Sequence, residues 1–162
     1  MLTRLRLRAR PLLLFFLGGA GLALAAPAAA QSVATVPDSS TLTLLQLNQP
    51  PCAVPNARSV IKAKLAYRLA ASEQLEYGFA VSIKFRGTTP GLTYSKGRLG
   101  QVVISQRADT LTLEYPMAEI LGDGRLARPI TCYFYLHRNT SPAPGRSRVI
   151  AQTPALVFKE CQ

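Results

Sequence analysis

Tryptophan is absent from this chain, histidine occurs once, methionine twice and cysteine three times among 162 residues. Each shortage narrows the available chemistry. A single imidazole, His137, leaves little for general acid–base catalysis. Cys52, Cys132 and Cys161 are far apart, so no metal-ligand spacing arises among them. Acidic residues are also scarce, 8 Asp+Glu against 19 Lys+Arg, for a formal charge of +11. Asp109 and Asp123 fall in turns, Glu114 on a polar strand face, and Glu73 and Glu76 beside a loop, so nothing marks a catalytic carboxylate pair. The chain also lacks G-x-S-x-G, H-E-x-x-H, a glycine-rich phosphate loop and a D-x-D-x-D-G calcium loop. The expectation is a protein that is not an enzyme and uses no metal or cofactor.

The first 30 residues differ in kind from the rest. Arg4, Arg6, Arg8 and Arg10 form a basic start, an apolar stretch runs from Leu12 to about Ala26, and Ala28-Ala29-Ala30-Gln31 follows. Small residues at −3 and −1 suit a signal peptidase pocket, so cleavage after Ala30 is expected. The alternative is an uncleaved anchor, because Pro11–Ala30 nearly reaches the ~20 residues a span requires. Gly18, Gly19, Gly21 and Pro27 weaken that helix. No cysteine near the site supports a lipid anchor, and no Arg-Arg pair supports a twin-arginine signal. Removing 1–30 leaves 132 residues with 15 basic and 8 acidic side chains, a net +7. The product is expected to be secreted or periplasmic, with 31–40 as an exposed lead-in and 41–162 as one folded domain.

In that domain, period-two alternation is the strongest signal. Ile61, Ala63, Leu65, Tyr67 and Leu69 share one face, with Lys62, Lys64 and Arg68 on the other. Phe79, Val81, Ile83 and Phe85 alternate with Ala80, Ser82, Lys84 and Arg86. Leu111, Leu113 and Tyr115 alternate with Thr110, Thr112 and Glu114. Ile130, Cys132, Phe134 and Leu136 face away from Thr131, Tyr133, Tyr135 and His137. With weaker candidates at 41–47, 98–105 and 148–158, about seven strands are expected. Gly87, Pro90-Gly91, Gly122-Asp123-Gly124 and the 141–145 run punctuate them. A single short helix is expected at 116–121, with Pro116 in its first turn. It is too short to carry a parallel crossover, so the sheets should be antiparallel and the fold an all-β, two-sheet sandwich.

This strand spacing resembles immunoglobulin-like or fibronectin type III-like sandwiches over roughly 41–158. The run Thr131-Cys132-Tyr133-Phe134-Tyr135-Leu136, before a Pro/Gly hairpin and a last strand, is similar to their final two strands. The chain departs from antibody domains in having no Trp and no second-strand cysteine to face Cys132. The resemblance implies that the loop after the first strand and the end of the last strand share a pole, which favours a Cys52–Cys161 disulfide. Closing about 110 residues in this way constrains the unfolded chain by roughly 4–5 kcal/mol. The alternative is Cys52–Cys132. Cys132 also reads simply as a small buried hydrophobe, and it lies on the face opposite His137, so the two form no dyad within one strand.

A fold alone carries no function, and the positive charge is what remains. Lys62, Lys64 and Arg68, together with Lys84 and Arg86, would share one polyanion surface if their strands lay in one sheet. Otherwise they are solvated faces that also discourage edge pairing. Tyr133 and Tyr135, beside His137, offer a stacking platform. The expected function is a non-catalytic binding or cell-surface interaction module, its partner an anionic envelope polysaccharide or a surface protein. Nucleic acid is disfavoured by the compartment. The alternative is a self-associating, fimbrial-like subunit, and a small secreted hydrolase ranks last.

Overall fold

Side chains that alternate in the sequence take opposite sides of a pleated strand, and nearly every alternating run here is extended. The computed structural model describes residues 39–160 except 51, 75, 97, 98 and 144. The expected leader, most of the lead-in and Cys161 lie outside the described residues. The strands are β1 (Thr41–Leu47), β2 (Val60–Arg68), β3 (Phe79–Arg86), β4 (Thr93–Tyr94) and β5 (Gln101–Ile104), followed by β6 (Ala108–Pro116). After a helical turn, α1 (Ala118–Leu121), come β7 (Ile130–Asn139), β8 (Ser147–Gln152) and β9 (Leu156–Phe158). The chain is all-β, and its strand pairs are antiparallel.

One sheet has the order β1-β2-β6 and the other β4-β3-β7-β8, with β5 also pairing β3 and β9 also pairing β7. The inward faces expected from the sequence are buried, and so are Ala80, Ser82, Thr131 and His137 on the opposite faces of β3 and β7. Ile61, Leu65, Leu113 and Tyr115 from the first sheet join Phe79, Ile83, Phe85, Phe134 and Leu136 from the second in one cluster of buried side chains. Burying each large apolar side chain contributes about 1.5–3 kcal/mol relative to leaving it in water. Phe85 and Tyr115 pack ring against ring between the sheets, centroids 5.1 Å apart.

Among the described residues nine strands form where about seven were expected, and each difference has an identifiable cause. The 148–158 run divides because Pro154 has no N–H to donate and Thr153 turns inward. Thr153 bridges to Phe134: its N–H donates to the Phe134 carbonyl at 3.0 Å, and its Oγ1 accepts from the Phe134 N–H at 3.1 Å. The chain resumes as β9 opposite Ile130–Cys132. Two-residue β4 is too short to show a period, and it is held by a later loop. Arg125 lies over the Tyr94 ring at 4.7 Å while Asp123 accepts from Arg125 Nε and Nη2 at 3.0 and 2.8 Å. Those bonds hold the Asp123 carboxyl well below the usual carboxylate range. The helix is one turn at Ala118–Leu121 with Met117 as its N-cap, and Pro116 ends β6 instead of starting the helix.

Candidate functional site

The sheet order divides the expected cationic surface. β2 lies in the three-stranded sheet and β3 in the six-stranded one, so Lys62, Lys64 and Arg68 do not share a surface with Lys84 and Arg86. The condition for five cations on one face is not met, because the chain changes sheet between β2 and β3. Two separate faces result.

On the three-stranded sheet, register decides what surrounds each cation. Lys62 lies opposite Glu114 and pairs with it at 2.9 Å, both side chains about half exposed. Such a pair contributes about 0.2–1 kcal/mol and locally cancels one charge. Lys64 lies between Thr112 on β6 and Gln46 on β1, and Arg68 between Ala108 and Thr41. Lys64 and Arg68 are exposed and make no ion pair among the described residues. A depression of about 240 Å³ opens between Gln46, Asn48, Lys62, Lys64 and Thr112. Asn48 fixes its rim: Nδ2 donates to the Val60 carbonyl at 2.8 Å and Oδ1 accepts from the Lys62 N–H at 2.7 Å. This side-chain mimicry of a ladder extends the β1–β2 pairing past the end of β1.

The outer side of the six-stranded sheet is built differently. Lys84 faces Tyr133, Ser82 faces Tyr135, and Ala80 faces His137 across the β3–β7 pair. Arg86 is exposed, while Lys84, Tyr133 and Tyr135 are half-buried. The rings of Tyr133, Tyr135 and His137 follow one another along β7 at centroid spacings of 6.0 and 5.9 Å. Tyr135 Oη meets Thr93 Oγ1 at 3.3 Å, and Lys84 Nζ donates to Ser95 Oγ at 3.0 Å. Burial lowers the pKa of Lys84.

His137 is not the surface residue expected of it, since it is only 7% exposed. Its Nε2 lies 2.7 Å from Ser82 Oγ and its Nδ1 3.4 Å from Ser147 Oγ. Burial, then the charge of Lys84, pushes its pKa down to about 4. The ring is therefore neutral near pH 7 and adds no cation to either face. Its partners are Ser82 and Ser147. Ser82 shares the polar side of β3, but nothing in the sequence places His137 or Ser147 beside it.

The Ser82–His137 contact has the distance of a nucleophile and base but not the rest of that machinery. The far ring nitrogen meets a hydroxyl, and among the described residues no carboxylate orients the ring. Ser82 is 3% exposed and sits between β5 and β7, opposite Gln101 on one side and Tyr135 on the other. Both flanks of the strand are occupied where an oxyanion would need free donors.

Cys132 is a free, fully buried thiol whose pKa burial raises to about 12. Among the described residues no group of three His, Cys, Asp or Glu is gathered as a metal would require, and no helix is long and apolar enough to cross a membrane. No protein-family model, no curated protein and no solved structure matches this chain.

Proposed function

We propose that this chain is an extracytoplasmic, non-catalytic binding module, and that its ligand face is the outer side of the three-stranded sheet. The observation that carries this reading is the row formed by Lys64 and Arg68. These are two exposed cations on one strand without carboxylate partners among the described residues, set among Gln46, Thr41 and Thr112. Free charge beside hydroxyl and amide groups suits an anionic envelope polysaccharide, whose acid groups meet the cations and whose hydroxyls meet the neutral side chains. The enclosed His137, held between two serine hydroxyls and by no carboxylate among the described residues, supports a non-catalytic role.

The finer fold reading is an immunoglobulin-like two-sheet sandwich behind a cleaved signal peptide. Its support is the single apolar cluster contributed by both sheets, with β1, β2 and β6 on one side and β3 and β7 central to the other. This arrangement resembles that family's. With Cys132 free and buried, Cys52–Cys161 is the disulfide we favour.

Retention on an anionic polysaccharide resin tests the ligand face. Lys64→Glu and Arg68→Glu should each elute at clearly lower salt than Lys159→Glu, which makes the same charge change outside this sheet. Equal losses from all three would reduce the effect to net charge and remove the assigned face. The self-associating reading draws on β6, whose nine residues pair with β2 alone among the described residues. Concentration-dependent oligomers in sedimentation would favour it instead.

A further inference from the structure

At one end of the six-stranded sheet, the register sets two like charges directly opposite each other. Arg138, near the end of β7, pairs across the ladder with Arg148 of β8. Like charges in that position are destabilising unless something lies between them. One carboxylate is present: Glu73 Oε2 accepts from Arg138 Nη1 at 3.2 Å, both side chains substantially shielded. Arg148 is exposed and has no ion pair among the described residues. The pair therefore carries one uncompensated positive charge.

The surroundings form a container for that charge. A cleft of about 260 Å³ is lined by Arg138 and Arg148 together with Ser39, Ser40, Ser72 and Glu73. Four segments distant in sequence meet there, and hydrogen bonds hold their backbones in place. Arg107 donates through Nη1 to the Ala70 carbonyl at 3.0 Å and through Nη2 to the Glu73 carbonyl at 3.1 Å. Ser40 Oγ accepts from the Ala70 N–H at 3.0 Å. The hydroxyls of Ser39 and Ser72 make no hydrogen bond among the described residues.

We propose that this cleft binds a compact tetrahedral oxyanion, a phosphate or sulfate group, between Arg138 and Arg148. Guanidinium forks match the geometry of such oxygens, and serine hydroxyls can donate to those the arginines do not reach. At about 260 Å³ and open to solvent, the cleft has room for a five-atom anion with water around it. Glu73 restricts the charge: it neutralises one arginine and leaves the second for the ligand. The site is independent of the outer-sheet face assigned above.

The test is a calorimetric and NMR titration of the chain with inorganic phosphate, inorganic sulfate and a phosphate monoester such as glycerol phosphate, against chloride at matched ionic strength. Saturable binding with shifts centred on residues 39–40, 72–73, 138 and 148 is expected. Arg148→Gln should weaken it about tenfold or more, and Lys159→Gln, which removes the same charge at an exposed position outside the cleft, should leave it unchanged. Preference for the monoester would identify an esterified group, and preference for the free ion a solute, both within the proposal. A response equal to that of chloride, or one that persists undiminished in Arg148→Gln, would overturn it. Because Arg148 is exposed, that variant is expected to fold. Ser72→Ala supplies a second reading at an exposed position, with a smaller loss expected.

Discussion

A methyl group added at Gly100 would lie 2.6 Å from both Ile83 Cγ2 and Tyr115 Cδ2, and the residue has φ +82°. Two requirements meet there, a left-handed backbone and a close approach to the core, while its carbonyl accepts the Ile83 N–H at 2.9 Å. Gly100→Ala should lose at least about 2 kcal/mol in denaturant unfolding, from backbone strain and overpacking together. His137 makes a different demand. Its folded pKa lies below the unfolded value, so the unfolded chain binds the proton more readily. Its contribution is fully present above about pH 6.5 and is lost as pH falls toward 4. A loss of about 2 kcal/mol across that window is expected after allowance for solvent screening. His137→Gln should flatten the slope between pH 6.5 and 4.5, and an unchanged slope would remove the assignment. The single histidine was visible in the sequence, but its burial was not. Alternation put it on an outward face, and only the neighbouring strands show that this face is closed around it.

The alternating strands were the most legible elements. β2, β3 and β7 lie within a residue or two of their expected bounds because one face of each is continuously apolar, and a register slip would turn that face to water. Phe134, wholly buried on β7, provides the measure. Phe134→Ala should cost about 3–5 kcal/mol as a large-to-small core change. Lys64→Glu on the exposed side of β2 should move the melting midpoint by only a few degrees, on the order of a 0.5 kcal/mol surface change. A reversed ranking in thermal unfolding would contradict the inside–outside assignment. β4 and the break between β8 and β9 were not legible. The first is a two-residue pairing with the end of β3, its Tyr94 covered by Arg125 some thirty residues later in the chain, and the second rests on Thr153 meeting Phe134. Neither contact has a period for the sequence to show.

For the whole molecule, compartment and disulfide are questions of covalent structure. An intact mass of protein recovered outside the cytoplasm should begin at Gln31 and be two hydrogens lighter than the reduced chain. A non-reduced peptide map should join Cys52 to Cys161. Cys132 should resist alkylation until the chain unfolds, since its thiol is both buried and held in the protonated form. A full-length, reduced mass would instead make residues 11–30 an anchor and leave no disulfide to assign.

By itself the sequence determined the all-β class, the antiparallel pairing and the strand faces that supply much of the core, though not Met117, Ile120 or Leu126. Those follow from local periodicity and from the absence of any segment able to cross between parallel strands. It also supplied the surplus of positive charge. Which cations lie near one another was a tertiary decision. Lys64 and Lys84 belong to equally alternating strands, yet the chain changes sheet between them, so one lies exposed beside Thr112 and the other half-buried against Ser95. Arg138 and Arg148 show the converse. Nothing in the sequence links them to Ser39, Ser72 or Glu73, but strand register and the β2–β3 connection bring all five to one cleft. Periodicity reports which side of a strand a residue takes, whereas the partners of that side are set by packing among distant segments.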